Sequence, residues 1–284
     1  MSQATVTQLF IHPIKGLTPQ GCDSPPPKRG QASGSASRHR AVLLAGHGIK
    51  GDRAMALMFV DTEGIASPET LPWQSKKYFA VQNDWPGLAR LKCTYDPENA
   101  ELRVSIGQSS SPLLVAATNT SQGRAAISAF FTGYLAGLKP TEKARHPQHS
   151  PVQLVGTGTG ETRYSDRQSG HISIISQATM DEISRCIGAE LDIRRFRPNI
   201  VVDGVAPWSE FDWVGKELYL GESRIVVSAR IGRCVNIEVN PETGDRDLPL
   251  CRLLTEHFGH LQTGVVAEVI SGGNIQIGDR LEIV

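Results

Sequence analysis

Short apolar or alternating segments, each bounded by Gly, Pro, Asn or Asp, follow one another through the first 118 residues. They read TVTQLFIHP, AVLLAGHGI, AMALMFVD, YFAVQN, LARLKCTYD, ELRVSIG and PLLVAAT. Runs of this length with such boundaries are typical of β-strands, and a series of them indicates a barrel or a curled sheet. The first portion of the chain is therefore predicted to be β-structure.

One polar stretch interrupts this pattern, and a predicted helix with a second polar stretch follows it. Residues 21–40, GCDSPPPKRGQASGSASRHR, are poor in apolar side chains and rich in Pro, Ser and Gly, which predicts a flexible surface loop. Residues 121–138 have the length and composition of a helix that Ser121 caps, and KPTEKARHPQHSP after them reads as a linker. We expect a domain boundary between about residues 118 and 150.

The second portion mixes strands and helices. HISIIS is strand-like, and SQATMDEISRCIG reads as a helix that Ser176 caps and Gly188 ends. RRFRPNIVVDG predicts a strand entered through Pro198, and ESRIVVSARIGRCVNIEV predicts a long strand with a bulge or bend at Gly232. LPLCRLLTEHF is helical, and the chain ends in two strands around a Gly-Gly turn. The pattern predicts a β-rich fold with a few helices.

Composition narrows the function classes. The 284 residues are enough for one large domain or two packed ones, and 39% are hydrophobic. Basic and acidic side chains balance at 29 each, which argues against a nucleic-acid partner or an anionic membrane surface. The N-terminal sequence does not read as a signal peptide, and no stretch approaches the roughly 20 apolar residues of a membrane span. We therefore expect a cytoplasmic protein without a membrane partner.

The cysteines point in the same direction. The chain has five, Cys22, Cys93, Cys186, Cys234 and Cys251, which are far apart and odd in number. This spacing argues for reduced thiols and against a disulfide framework, an iron–sulfur cluster or an all-cysteine zinc site. Any electron-carrying cluster is therefore expected to belong to another protein.

Single polar residues have ordinary interpretations. Lys15, Arg53 and Arg197 could each be solvated or paired surface cations, because most surface ion pairs contribute little. Cys234 follows Arg233, and a neighbouring cation lowers the pKa of a cysteine toward the thiolate, the form that binds soft metals. The alternative is a half-buried strand cysteine that acts as a small hydrophobe.

Taken together, several stretches resemble one family. They are IHPIKG, GIKGDRAMALMFVD, HISIISQATMDEI, RFRPNIVVDG, GRCVNIEVNPETG and the terminal IQIGDRLEIV. The set is similar to the MOSC family, the molybdenum-cofactor-sulfurase C-terminal domain proteins, preceded by the β-barrel domain that often accompanies them. In layout it resembles bacterial relatives of the amidoxime-reducing components. The resemblance implies a mainly β fold with α (α+β), with an N-terminal β-barrel-like domain at 1–120 packed on a β-barrel MOSC domain at 121–284.

The resemblance also implies a site for the molybdenum cofactor. Cys234 would be the molybdenum ligand and the catalytic residue, and Arg233 beside it would favour its thiolate. A dithiolene-bound molybdenum is soft enough to accept a protein thiolate, and the cofactor's phosphate needs Arg or Lys donors. The residues implied as cofactor contacts are Lys15, Gly16, Arg53, Ser176, Arg197, Asn199, Gly232 and Arg233.

Two positions depart from the family pattern. Many relatives have serine where this chain has Gly16, and relatives often have serine where it has Gly232. One side-chain contact at each position is therefore missing or replaced by a backbone group.

Two functions follow from the resemblance. The first is a molybdenum-dependent reductase that removes oxygen from small N-hydroxylated compounds, hydroxylamines and amidoximes. Its electrons would come from a separate electron-transfer protein, a ferredoxin- or flavin-type reductase. The second is a non-catalytic carrier of the cofactor or of its sulfur. The resemblance also implies pyridoxal phosphate binding, at the level of the family only.

Other sites need to be weighed. A zinc site at Cys251, His257 and His260 lacks an evident fourth ligand. A nucleophilic-cysteine hydrolase would need a histidine base near Cys234, and His171 is the candidate. Asp166, in YSDRQSG, is interpreted as a turn residue rather than a pocket carboxylate.

Overall fold

The computed structural model describes residues 4–20, 40–107, 111–159 and 161–284. These residues form fifteen β-strands and three α-helices, which confirms the predicted α+β class. The helices are α1 (Ser121–Ala136), α2 (Gln177–Ile187) and α3 (Leu250–Phe258). The strands are β1 (Ala4–Leu9), β2 (Arg40–Leu44), β3 (Gly48–Ile49), β4 (Met55–Phe59), β5 (Leu91–Asp96), β6 (Glu101–Ile106), β7 (Leu114–Ala117), β8 (Val152–Gly156), β9 (Ile172–Ser176), β10 (Ile200–Asp203), β11 (Glu217–Leu220), β12 (Ser223–Gly232), β13 (Gln262–Ser271), β14 (Gly273–Gln276) and β15 (Arg280–Ile283).

A closed barrel dominates the second portion of the chain. Its strand order is β1–β10–β9–β13–β12–β11–β15, and β15 pairs with β1 to close it. Ile172 and Ile174 of β9 lie in the core of the barrel, whereas Ile175 packs on the other side among residues of α2 and α3. Successive side chains of a strand point to opposite faces, so a strand covered by helices is apolar on both. This explains why β10, IVVD, begins as a continuous apolar run and why β9, ISIIS, has apolar residues on both faces.

Open sheets form the rest of the molecule. β5, β6 and β7 make an antiparallel sheet, β4 pairs with β8, and β14 pairs with β2, which pairs with β3. Helix α1 packs its apolar side into the core under the first of these sheets, where Ile127, Phe131 and Leu135 are fully buried. Its N-cap is Thr120, whose hydroxyl accepts from the backbone N–H of Gly123, rather than the predicted Ser121. The barrel-like N-terminal part of the prediction thus corresponds to open sheets in the described residues.

The packing bears on the predicted domain boundary between residues 120 and 121. Helix α1 and strand β8, which follow it, share one core with β4, β5 and β6, which precede it. Strand β1, at the N-terminus, belongs to the barrel of the second portion. We therefore propose that the division falls after β8 and that β1 belongs with the later unit.

Local differences from the sequence predictions have local causes. The long strand predicted across the cysteine stops at Gly232, where the register of β12 against β13 shifts, and residues Val235–Glu238 form a 3-10 helix. The predicted strand at RRFRPN begins as the 3-10 helix Ile193–Phe196, and only Ile200–Asp203 is extended. The final Gly-Gly does not join a hairpin, because β13 pairs with β12 and β9 while β14 pairs with β2.

Two sequence predictions concern features outside these elements. The Pro/Ser-rich loop predicted at 21–40 lies outside the described residues, apart from Arg40, which begins β2. Within the described part of the chain, no helix is long and apolar enough to cross a lipid bilayer.

Candidate functional site

A cavity of about 270 Å³ lies between the end of the barrel and the first portion of the chain. The segment after β1, the turn after β3, the loop before β10 and the end of β12 all supply residues to its wall. Eight of the nine residues singled out from the sequence line it: Lys15, Gly16, Arg53, Arg197, Asn199, Gly232, Arg233 and Cys234. Positions more than 200 residues apart in the chain therefore meet in one pocket.

Ser176 is the exception, and its role as a cofactor contact stays a prediction. It is fully buried at the end of β9, outside the pocket lining, and its hydroxyl has no hydrogen-bond partner within the described structure. It holds the N-cap position of α2 without a side-chain capping bond. Ser173, three residues earlier, lines the pocket instead. Ile172 and Ile174 alternate with Ser173 and fill the barrel core, so Ser173 faces the other way.

Cys234 lies just beyond the end of β12 and is solvent-exposed, with a free thiol. It occupies the N-cap position of the 3-10 helix Val235–Glu238, and its carbonyl accepts from Ile237 N–H at 3.1 Å. Ile237 is buried among α2 and α3 residues and anchors this turn, which leaves the thiol at the pocket wall. The alternative of a half-buried strand cysteine does not describe this position.

The guanidinium of Arg233 turns away from the open pocket and holds its wall together. Nη1 donates to the carbonyl of Phe196 at 2.9 Å, Nη2 donates to the carbonyl of Thr263, and the guanidinium lies over the Phe196 ring at 5.4 Å. Burial lowers the pKa of Arg233 to about 10, against the opposing charges of Cys234 and Glu210, so it stays a cation at neutral pH. The effect of Arg233 on the Cys234 thiol stays a prediction.

Arg53 is held by a buried carboxylate. Its guanidinium pairs with Asp52, which also accepts from the backbone N–H of His12 at 2.7 Å and lies 3.3 Å from His12 Nδ1. Burial raises the pKa of Asp52, but Arg53 and the hydrogen bonds from His12 outweigh burial and hold it below its usual range. Burial, together with Arg197 and Arg53, lowers the pKa of His12 to about 3. His12 is therefore neutral, with Nδ1–H the donor to Asp52.

Lys15 contacts a carboxylate that the sequence interpretation assigned to a turn. Its side chain is 5% exposed, and Nζ donates to Asp166 Oδ1 at 2.5 Å. Burial lowers the pKa of Lys15, while Asp166 opposes that change. Burial raises the pKa of Asp166, but Lys15, Lys76 and Arg53 together hold it below its usual range. Asp166 is therefore an ionised carboxylate that lines the pocket from a bend in the loop after β8.

Arg197 and Asn199 are fixed on the loop before β10. Arg197 has φ of 51°, and its guanidinium donates to the carbonyl of Leu17 at 2.7 Å. The Asn199 amide donates to Phe10 O at 3.2 Å and accepts from the Ser173 hydroxyl at 3.0 Å. Asn199 therefore joins β1, β9 and β10 at the pocket edge.

Gly16 and Gly232, the two positions that depart from the resemblance, occupy different environments. Gly16 has φ of 83°, and a Cβ placed on it would meet the carbonyl oxygen of Ala80 at 2.5 Å. Gly232 is exposed, and a Cβ there would have no neighbour within 4 Å among the described residues. The backbone requires glycine at residue 16 but not at residue 232.

Other lining residues were not selected from the sequence as cofactor contacts. Lys76 and His171 line the pocket, and burial lowers the pKa of His171. Arg195 also lines it and is tied to Asp247 at 2.8 Å and to the carbonyl of Glu238 at 3.1 Å. The run of arginines before RPN is the signal that could have indicated Arg195. Lys76 follows no motif, and only the three-dimensional fold brings it here.

The competing chemistries receive little support from the geometry. Among the described residues, no group of three or more His, Cys, Asp or Glu side chains is arranged to hold a metal ion. His260 packs against Trp208 with ring centroids 5.2 Å apart, and its Nδ1 accepts from Gln262 N–H at 3.2 Å. His171 and Cys234 line the same pocket, but the contact recorded for His171 Nδ1 is the carbonyl of Ser169, at 3.3 Å.

The donor set of the pocket fits the molybdenum cofactor. An exposed thiol stands on one wall, and a thiolate is the ligand type that a soft metal selects. Lys15, Arg53, Lys76 and Arg197 line the same cavity and suit a phosphate group. The thiol and the cations present are therefore compatible with such a group.

Part of this chain is similar to known proteins. Residues 161–282 match the model of the MOSC domain family. The mitochondrial amidoxime reducing component 2 of Rattus norvegicus is 32% identical over 112 residues, which are 39% of this chain and 30% of that protein. The Bos taurus component 2 is 33% identical over 81 residues, 28% of this chain and 24% of that protein.

A third relative and the solved structures complete the comparison. The molybdenum cofactor sulfurase of Anopheles gambiae is 33% identical over 67 residues, 24% of this chain and 8% of that protein. The chain thus matches 30% or less of the length of these three relatives. The solved YUAD protein from Bacillus subtilis is 14% identical, with a TM-score of 0.45 over 99% of this chain and 95% of that one. YiiM from Escherichia coli is 19% identical, with a TM-score of 0.31 over 40% and 53%.

Proposed function

We propose, from the premise that residues 161–282 of this chain are a MOSC domain, that the pocket binds the molybdenum cofactor and reduces small N-hydroxylated compounds. The observation that carries this proposal is the meeting of an exposed thiol with four cationic side chains in one cavity. The amidoxime-reducing components among the relatives favour an oxidoreductase. Electrons would come from a separate protein of the ferredoxin or flavin type.

Different residues of the pocket would bind different parts of the cofactor. Cys234 would supply the thiolate ligand to molybdenum. Lys15, Arg53 and Arg197 would bind the anionic part, each from a backbone position that other contacts already fix. When bound, the cofactor would supply the two-electron chemistry that removes oxygen from an N–OH group.

The ordered wall would also orient the substrate. Arg233 and Asn199 bind neighbouring backbone and side-chain groups, so they keep the cavity in shape rather than reach into it. A preformed cavity lowers the entropy lost when substrate and cofactor are brought together.

The first test is molybdenum retention in a Cys234→Ala variant. Protein made in a host that synthesises the cofactor should contain molybdenum by elemental analysis, whereas the variant should lose the metal and fold normally. Cys186→Ala is the matched control, because it removes a thiol of α2 outside the pocket lining. Wild-type metal content and activity in Cys234→Ala would exclude the proposed ligand.

The second test separates the enzyme from a carrier. Cofactor-loaded protein with a chemical reductant should consume a hydroxylamine or an amidoxime over many turnovers. Tight cofactor binding without such consumption would favour the carrier of cofactor, or of its sulfur, which the sulfurase among the relatives brings into consideration.

A further inference from the structure

The charges around the pocket are unequal. Six lining residues are Lys or Arg, and among the lining residues the structure describes, Asp166 alone is acidic. Several of the cations have partners outside the lining: Arg53 pairs with Asp52, and Arg195 pairs with Asp247. Asp166 differs because its carboxylate stands in the pocket itself.

Asp166 binds the cation that is most deeply buried of those facing it. Lys15 Nζ donates to its Oδ1 at 2.5 Å, and the charges of Lys76 and Arg53 also act on the carboxylate. The Lys15 side chain is 5% exposed, whereas that of Asp166 is 63% exposed. The lysine is therefore part of the wall, and the carboxylate reaches it from the open side.

The loop that carries Asp166 is fixed at both ends and open in the middle. Tyr164 N–H donates to Arg53 O at 2.8 Å, and Gly170 N–H donates to Gly46 O at 3.2 Å. Residues 166–169 between them are exposed. A side-chain rotation can thus take the Asp166 carboxylate into solvent without moving the loop ends.

We propose that Asp166 is an internal counter-ion that occupies the anion-binding position of the pocket and has to leave Lys15 when a phosphate group enters. The proposal rests on the proposed function, because it takes Lys15 as a phosphate contact. Asp166 then sets how tightly the pocket binds an anion: each phosphate must replace a charge-assisted hydrogen bond that already exists. The carboxylate also gives the buried ammonium a partner while the pocket holds no anion.

The experiment measures the binding of inorganic phosphate to the full chain, produced in a host that does not make the cofactor, by titration calorimetry. Asp166→Asn should bind phosphate about tenfold or more tightly than wild type, a gain of about 1.4 kcal/mol. Glu161→Gln is the matched control, because it removes one exposed negative charge from the same loop outside the pocket lining. It should bind phosphate like wild type.

A second variant places the effect on Lys15. The double variant Lys15→Gln with Asp166→Asn should lose the gain, because the ammonium is the group that phosphate would take over. Equal, weaker or undetectable phosphate binding by Asp166→Asn would overturn the proposal, since it would mean that the carboxylate supports Lys15 rather than competes for it. An equal gain in Glu161→Gln would overturn it as well.

Molybdenum analysis of wild-type protein from a cofactor-producing host keeps the two proposals apart. If the wild type contains molybdenum but Asp166→Asn does not bind phosphate more tightly, the counter-ion proposal is rejected and the proposed function is not. A phosphate gain in Asp166→Asn without metal in the wild type would support the counter-ion and reject the cofactor.

Discussion

The neutral, buried His12 predicts a specific loss of stability on acidification. Its side chain is fully buried, and burial together with Arg197 and Arg53 lowers its pKa from 6.5 to about 3. Below about pH 6.5, His12 is therefore protonated in the unfolded chain but stays neutral in the folded chain. The contribution of His12 to stability is complete above pH 6.5 and is lost as the pH falls from there toward about 3.

The size of the effect follows from the two pKa values. When the pH falls from about 7.5 to about 5, protonation of His12 stabilises the unfolded state by the equivalent of close to 1.5 pH units. At 1.36 kcal/mol per unit, this is about 2 kcal/mol. Because His12 is buried, solvent does not screen this difference. Carboxylates such as Asp52, whose pKa is below its usual range, lose their contribution at lower pH, as the pH falls below about 3.8.

The variant to compare is His12→Asn, which keeps a donor near Asp52 but does not titrate. Urea unfolding at the two pH values should show that the free energy of unfolding falls by about 2 kcal/mol less in the variant than in wild type. The difference between pH values is the readout, so a general loss of stability in the variant does not affect it. The control His257→Asn removes an exposed histidine of α3 and should behave like wild type. An identical fall in wild type and His12→Asn would refute the reasoning.

Three substitutions test the pocket wall. Gly232→Ser should leave stability within about 0.5 kcal/mol by urea unfolding and raise molybdenum occupancy, because its Cβ meets no neighbour and its hydroxyl adds a donor; a lower midpoint would contradict this. Gly16→Ser should lower the free energy of unfolding by about 1–3 kcal/mol, because of its positive φ and the nearby Ala80 carbonyl; unchanged stability would show that the backbone gives way. Arg197→Ala should weaken cofactor binding by about 1.5–3 kcal/mol, and unchanged molybdenum content on titration would remove it from the site.

The sequence predicts which stretches of the chain meet at the pocket better than it predicts the individual contacts there. Family-like stretches bring Lys15, Arg53, Arg197 and Cys234 into consideration, and the fold places all of them in one cavity. Ser176 stands apart from them because the resemblance marks the end of the strand, whereas the face of the strand decides which side chain meets the pocket.

Contacts between distant residues escape any local pattern. Asp166 and Lys15 are 151 residues apart, and a loop aspartate in a polar stretch has the same local signature as an ordinary turn residue. The pairing of β1 with β10 and β15 is equally distant in the chain, so the apolar alternation of β1 predicts a strand but not the sheet to which it belongs. The same is true of helix α1: its apolar face predicts that the helix packs on a core, but not which core.

The backbone arrangement explains why the cations converge before any ligand binds. Leaving the barrel, the chain pairs with the loop before β10, where Phe10 N–H donates to Asn199 O at 2.8 Å. Five residues later it pairs with the start of β4, where Lys15 N–H donates to Met55 O at 2.8 Å. Between these two points, His12 O accepts from Arg53 N–H at 2.6 Å. One short segment thus sets the positions of Lys15 and Arg53 relative to the loop that carries Arg197.

The same contacts offset an unfavourable backbone conformation. Arg53 and Arg197 have φ of 50° and 51°, a region that side-chain-bearing residues rarely occupy and that costs of order 1–3 kcal/mol. Both residues line the pocket, and the bonds from Arg53 N–H to His12 O and from the Arg197 guanidinium to Leu17 O hold them there. An anion bound by both arginines belongs to the proposed function, and their fixed positions are compatible with it. The arginines are therefore positioned at the expense of local stability, as a preorganised binding site requires.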